Sequence, residues 1–589
     1  MTVPVLGAWP DGLGTDFRVW APDAREVELV LVDEDSRTLL EREDDGHWSG
    51  RVAGIGPGTR YRYALDGGEE RPDPASRSQP EGVHGPSAVV GPWDGWTDAG
   101  WSAPSLSDTV LYELHVGTFT AEGTFDAVIP HLPALAELGV TTIELLPIAQ
   151  FPGERNWGYD GVFPFAAQSS YGGFEGLCRL VDAAHATGLA VCLDVVHNHL
   201  GPEGNVLAAY GPYFTSTYAT PWGDALNFSE AGSDQVRELF VESARFWQTW
   251  AHVDAFRLDA AHAIVDPSAC PFLEQLAGAL HERAGVLGRS VLVIAEHDGN
   301  DPFVVRPSGT GGLGMDAQWC DDVHHALHVA LTRERHGYYA DFAGAADLPL
   351  ALTGGFVHRG EFCPSRGRRH GRAGPSLALD QAVVYAQNHD QVGNRPRGER
   401  LTEHLEDRQL RLAAAWVLLS PAVPLLFMGE EHAEEAPFPY FIDHADAALV
   451  EATRAGRNRE FAAFTDLGRP PDPADEATFR SAVVDHDRAR TGTHAEMRDW
   501  YRTLLTARRE LFGGTGEPVD VAGLDEVTGV LTVDRHGLHG PVRLLYQFDP
   551  GEVTVEVGRG WKAHLLGPGA RHDGDTVRLE GWTCAVLTA

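Results

Sequence analysis

The chain has 589 residues, 43% of them hydrophobic and 22% charged, the balance of an ordinary globular protein. Lys plus Arg number 46 against 85 Asp plus Glu, a formal charge of −39, which would repel phosphate backbones and anionic lipid and so argues against nucleic acid and membrane surfaces as partners. The same bias also suits simple solubility, and a neutral or cationic ligand is expected.

The N-terminus MTVPVLGAWPDG lacks a basic start and an apolar core, and no run of eighteen apolar residues occurs. Six cysteines (Cys178, Cys192, Cys270, Cys320, Cys363, Cys584) are scattered without a CxxC pair, which argues against a zinc site and a disulfide framework. A cytoplasmic protein with no metal and no cofactor is the expectation.

A chain this long exceeds one core, and three units or so are expected unless one is a large barrel. In the first hundred residues, TDFRVWA, EVELVLVD and TRYRYALDG alternate apolar and polar positions between Gly, Pro and Asp, as in a small β-sandwich. Trp20, Trp48, Tyr61 and Tyr63 would be core or a sugar-stacking face. The stretch RPDPASRSQPEGVHGPS, Arg71 to Ser87, reads as a domain boundary.

From about Val110 buried strands alternate with helical segments. VLYELHVGTF, VTTIELLPI, LAVCLDVVHNH, VDAFRLDAAH, SVLVIAEHD, MDAQWC, AVVYAQNHD and VPLLFMGEE supply eight strands over about 400 residues, the count of a (β/α)8 barrel. A helix with Leu132, Leu135 and Leu138, a second ending at Gly188, and a last one over Met497 to Leu511 fit between and after them. Beyond Gly513, VLTVDRHG, VRLLYQFD and VTVEVG alternate again. The expected fold is α/β: a TIM barrel over 101–513, flanked by β-sandwiches over 1–100 and 514–589.

FRLDAAHAI, Phe256 to Ile264, sets Arg257 and Asp259 two apart in an apolar strand, hence on one face. Taken alone the two are an ion pair or a site. In a barrel the C-terminal strand ends share a mouth, and here those ends carry Asp194, His197, Asn198 and His199, then Arg257, Asp259 and His262, then Glu296, then Asn388, His389 and Asp390. Three carboxylates can hold a hard cation, but the histidines and the arginine would crowd one. Glycoside hydrolysis fits better, because it needs one ionised carboxylate as nucleophile and one protonated as acid. Arg257 would keep Asp259 ionised and aim it, while the apolar run VLVIA before Glu296 would favour its protonated form.

LDVVHNH, FRLDAAH, the AEH after VLVI, and QNHD resemble, in order and spacing, the four conserved regions of the α-amylase superfamily, glycoside hydrolase family 13. The resemblance implies Asp259 as nucleophile, Glu296 as general acid/base and Asp390 as transition-state stabiliser. It implies that His199 and His389 hydrogen-bond the sugar at the cleaved linkage and that Tyr159, in NWGYDGVFPF, stacks on the same ring; His197 and His262 could be ligand or structural. The N-terminal sandwich is similar to the starch-binding-like module of branching and debranching relatives. Two positions depart from the commoner pattern: Ala255 stands where glycine is usual, and His197 where tyrosine is common.

Longer stretches, among them WGYDGVFPFAAQSSYGG, HLGPEGNVLAAYGPYF with TPWGDALNF, AEHDGNDP, DAQWCDDVHHAL and QNHDQVGNRPRGERL, resemble the family members that cleave the α-1,4 bond next to the terminal trehalose of maltooligosyl trehalose and release α,α-trehalose. A maltooligosyltrehalose synthase would then supply the substrate in the same pathway. Glycogen branching enzymes rank second, because they usually carry a different fourth region and no VGNRPRGERL extension. Recognition of trehalose must come from loops outside the four regions, with Asn388, Gln391, Asp160, Trp157, Trp222 and Glu430 as candidates; the aromatics could equally be core. Arg395 and Arg397 could equally be salt-bridged scaffold.

Overall fold

A computed structural model describes residues 6–220, 223–374, 377–460, 469–514 and 519–589. Trp222, a candidate sugar-stacking residue, lies outside the described residues.

Eight parallel strands close into a barrel in chain order: β1 (Leu111–Leu114), β2 (Thr142–Leu145), β3 (Ala190–Val195), β4 (Ala255–Leu258), β5 (Leu292–Ala295), β6 (Ala317–Trp319), β7 (Ala382–Tyr385) and β8 (Val423–Phe427). Each lies within the apolar run read from the sequence, and β8 returns to pair with β1. Such strands are near-continuously apolar because both faces are covered, by helices outside and by side chains within. The helix Gly173–Thr187 shows how the register is set: it ends at Gly188, whose φ of +88° closes the last turn and feeds β3.

The barrel interior divides into two levels. At the bottom, Leu111, Ile294, Ala317, Trp319, Val383, Tyr385, Val423 and Leu425 form their own buried cluster. Nearer the mouth the same inward alternation brings up polar groups, and the register aligns Glu113 with Glu144, Glu144 with Cys192, and Asp194 with Arg257. A much larger apolar cluster fills the space between strands and outer helices. The polar level is therefore set on a rigid floor.

Two sheets of the N-terminal part face each other, one ordered Gly7–Pro10, Gly14–Trp20, His47–Ala53, Glu41–Arg42, the other Ser36–Leu39, Val27–Leu31, Arg60–Leu65, Glu70–Arg71. Trp20, Trp48, Tyr61 and Tyr63 are all buried, which makes them core and not an exposed sugar-stacking face. Trp20 also meets Tyr213 edge-on at 5.2 Å, so the sheets dock on the excursion after β3.

The Pro- and Gly-rich stretch Arg71 to Ser87, read as a domain boundary, is packed by its polar side chains. Arg77 is buried, donates to the carbonyls of Leu6 (2.6 Å) and Ala8 (2.9 Å), and stacks its guanidinium 3.6 Å from the Trp9 ring. Asp73 accepts the Tyr61 hydroxyl at 2.8 Å. Turn-forming residues mark a boundary; the packing of these polar side chains appears only in three dimensions.

At the other end, strands from Val519–Leu524 to Thr583–Thr588 make a five-stranded and a three-stranded sheet. They are held to the barrel by Arg535, fully buried, which donates to the Leu419 carbonyl at 2.7 Å and lies 3.7 Å from the Phe512 ring. Phe512 ends the long helix Gly492–Phe512.

Candidate active site

Arg257 is the hub. It is fully buried inside β4, over the Trp319 ring at 4.3 Å, and a charge so placed needs partners, which it finds at both terminal nitrogens and not at Nε. Nη1 donates to Asp194 Oδ2 (2.6 Å) and Asp259 Oδ1 (3.1 Å), and Nη2 donates to Glu296 Oε2 at 2.6 Å and stands 3.8 Å from Asp390 Oδ2. One guanidinium thus gathers carboxylates from the ends of β3, β4, β5 and β7. The planar fork of arginine is what allows this; a lysine point charge could not hold two carboxylates in one plane.

Asp259 is aimed from both sides, since its Oδ2 accepts from Asn198 Nδ2 at 2.6 Å. The chain then turns at Ala260, whose φ of +39° is left-handed, and that turn points the Ala260 N–H at Glu296 Oε2, 2.8 Å away. The apolar setting expected for Glu296 is therefore only half the picture: β5 behind it is buried, but its carboxyl oxygen accepts two hydrogen bonds. Side-chain exposure rises from 12% at Asp259 through 18% at Glu296 to 32% at Asp390, so the three carboxylates line one wall from floor to opening.

His389 opens a second layer. Its backbone N–H donates to Glu113 Oε2 (2.8 Å), its Nδ1 meets Glu113 Oε1 (2.6 Å), and its Nε2 meets the Tyr159 hydroxyl (2.6 Å). Burial disfavours its charge, yet Asp390 and Glu113 outweigh burial and raise its pKa to about 10. As an imidazolium both ring nitrogens donate, so Tyr159 must pass its own proton to Asp194 Oδ2, 2.6 Å away. The Asp194 carboxyl is pushed up to about 7, by burial first, with Arg257 opposing. Tyr159 stacks on His389 at 5.4 Å with its ring half-buried at the mouth.

The other candidates separate. His199 joins the wall, with Nε2 2.9 Å from the Tyr159 carbonyl and Nδ1 on Asn198, and burial lowers its pKa. Asp160 is buried under His444 (3.5 Å) and Asn156 (2.6 Å). Trp157 is core: it stacks on Phe438, donates to the Pro439 carbonyl and backs His389 edge-on at 5.8 Å. Asn388 is fully buried, and its Oδ1 caps the helix His389–Gly393 by accepting the Gln391 N–H. Gln391 reaches Asp321 at 3.4 Å. His262 is exposed and accepts the Asp298 N–H at 3.3 Å, outside the carboxylate cluster.

His197 is walled in by Phe240 and Phe272, and burial pushes its pKa down to about 3, so it is a neutral core histidine. Glu430 is buried against the Tyr501 hydroxyl. Arg395 pairs with Glu334 and Arg397 with Glu403.

Glu113 has a signal in the sequence that the strand-end pattern does not include: a lone charge in the apolar strand VLYELHV, as Arg257 and Asp259 are in FRLDAAH. Asn198 and Asp194 were noted only as strand-end residues. Among the described residues the one grouping with metal-ligand spacing is Glu43, Asp45 and His47, in the N-terminal sheets, where Arg18 already pairs with Glu43 and Asp45.

The family model for the alpha amylase catalytic domain matches residues 77–219, and that for carbohydrate-binding module 48, the isoamylase N-terminal domain, matches residues 5–78. The chain is similar to the malto-oligosyltrehalose trehalohydrolase of Arthrobacter ramosus, at 43% identity over 96% of this chain and 99% of that one, and to its namesake from Saccharolobus solfataricus, at 45% over 84% and 85%. More distant, at 29% over 72% of this chain, is a 1,4-alpha-glucan branching enzyme of Bacillus caldolyticus. A solved structure from Salmonella typhimurium, provisionally named an alpha amylase, superposes with a TM-score of 0.90 at 35% identity over the whole of both chains. The chain belongs to the malto-oligosyltrehalose trehalohydrolase family, within the α-amylase group.

Proposed function

We propose that the protein hydrolyses the α-1,4-glucosidic bond next to the terminal trehalose of maltooligosyl trehalose, with retention, and releases α,α-trehalose. Asp259 attacks the anomeric carbon while Glu296 protonates the leaving oxygen; Glu296 then takes a proton from water, which displaces Asp259. Asp390 stabilises the charge that develops on the ring. Tyr159 supplies a stacking face, and His199 and His389, whose ring nitrogens bond Asn198, Glu113 and Tyr159, reach the ring hydroxyls by exchanging one of those bonds for the sugar. Asn388, Gln391 and Trp222 complete the proposed substrate-binding set; Asp160, Trp157 and His262 leave it, because the first two are packed into the interior and the third stands outside the carboxylate cluster.

The observation that carries this reading is the sharing of one guanidinium by Asp259 and Glu296. It keeps the two carboxyl groups near each other, as a retaining mechanism requires, its pair standing about 5 Å apart. Both oxygens of Asp259 accept donors, from Arg257 and Asn198, which suits an ionised nucleophile.

We also assign the division at 100 and 513 into three domains, a cytoplasmic setting, and a maltooligosyltrehalose synthase as the source of substrate. Among the described residues no helix is long and apolar enough to cross a membrane.

The test is to incubate the protein with maltotriosyl trehalose and with maltopentaose. Trehalose from the first and little hydrolysis of the second is the expected result. A branched product would favour the second reading, a branching enzyme, for which the 29% identical relative speaks.

A further inference from the structure

Two adjacent carboxylates, Asp321 and Asp322, open the helix Asp321–Thr332 that follows β6. Asp322 is spent on structure: one oxygen accepts from Asn300 Nδ2 (2.7 Å) and from the N–H groups of Val357 (2.9 Å) and His358 (2.8 Å). Asp321 is not. It is only partly buried, it faces Glu296, Asp390 and Asp298, and among the described residues no ion pair reaches it. The neighbouring carboxylates all have cations, Arg257 for Glu296 and Asp390, Arg366 for Asp298.

What Asp321 does have is neutral hydrogen-bond donors on one oxygen, the Tyr385 hydroxyl and Gln391 Nε2. On Gln391, Oε1 is buried with no hydrogen-bond partner, and so is Nδ2 of Asn388, whose Oδ1 holds the Gln391 N–H. An unmet acceptor and an unmet donor next to an unpaired carboxylate are costly unless a ligand satisfies them. A charged ligand fits poorly: an anion meets three more carboxylates, and burial together with those neighbours holds the Asp321 proton up to about 7, which weakens it as a cation ligand at neutral pH. Sugar hydroxyls, each both donor and acceptor, match this set without adding charge. The corner lies within electrostatic reach of Glu296, the group that protonates the leaving oxygen.

We propose that Asp321, with Gln391 and Asn388 beside it, binds hydroxyl groups of the departing trehalose unit and so sets the preference for a trehalose-terminated substrate over a plain malto-oligosaccharide. This rests on the trehalose-releasing reading above.

The experiment measures competitive inhibition of trehalose release by trehalose and by maltohexaose, in wild type, Asp321→Asn and Gln391→Leu, with Tm recorded for each. In Asp321→Asn the Ki of trehalose rises about tenfold more than that of maltohexaose, the factor of one hydrogen bond to a charged group. Gln391→Leu moves the same ratio in the same direction, and decides the matter if Asp321→Asn does not fold. Equal changes in both Ki values, or none, would overturn the proposal. Wild-type protein that releases no trehalose would instead overturn the reading on which it rests.

Discussion

His389 and Glu113, 276 positions apart, are joined twice, through the histidine backbone N–H at 2.8 Å and through ring Nδ1 at 2.6 Å. Both groups are buried, so the pair fixes the ring and holds its proton. The pKa of about 10 exceeds the ordinary 6.5, so the stability this histidine contributes is fully present below pH 6.5 and is lost as pH rises through about 10. Glu113→Gln should therefore unfold more easily in urea than wild type near pH 6, and the gap should narrow towards pH 10. The His389 ring, followed by NMR, should titrate at lower pH in the variant; an unmoved titration would sink the assignment.

Asp259→Asn and Glu296→Gln keep shape and remove the carboxylate. Each should lower kcat for trehalose release by at least about 10^3-fold, as loss of a covalent or acid/base group does. Asp259→Ala should abolish release altogether. A variant at near-normal rate in a steady-state assay would refute the mechanism.

Arg257→Lys keeps charge but loses the fork. It should cost about 100-fold or more in kcat, because Asp259 and Glu296 are no longer held by one plane. Arg257→Met removes the ion-pair partner of buried Asp194, so about 3–5 kcal/mol of stability should go with it, read as a large drop in Tm.

Arg77→Met tests the packed connection between the N-terminal sheets and the barrel. It removes the charged hydrogen bonds to the Leu6 and Ala8 carbonyls, of which Leu6 keeps the Trp9 indole N–H, a loss of about 1.5–3 kcal/mol. Limited proteolysis should then cut within residues 71–87, where wild type resists.

Gly158 precedes Tyr159 at a φ of +109°, and a Cβ there would lie 2.1 Å from the Pro147 carbonyl oxygen. Gly158→Ala must move the Tyr159 loop, and trehalose release should fall at least about tenfold, while far-UV circular dichroism stays unchanged.

The eight strands, their order and the polar residues at their ends were legible in the sequence, because strand periodicity is a local property and a barrel converts strand ends into a common mouth. Arg257, Asp259, Glu296 and Asp390 could be named on that ground alone. Tertiary structure decided what local pattern cannot carry. Glu113 meets His389 only because β1 and the end of β7 lie on the same closed ring, and Trp157 became core because Phe438, 281 positions on by number, covers its face. Asn388 turned out to be the cap of a five-residue helix, and the side chains of Arg71 to Ser87 to be packed. In each case the deciding term is burial by a distant segment, which depends on which residues the fold brings over a side chain and not on the neighbours it has along the chain.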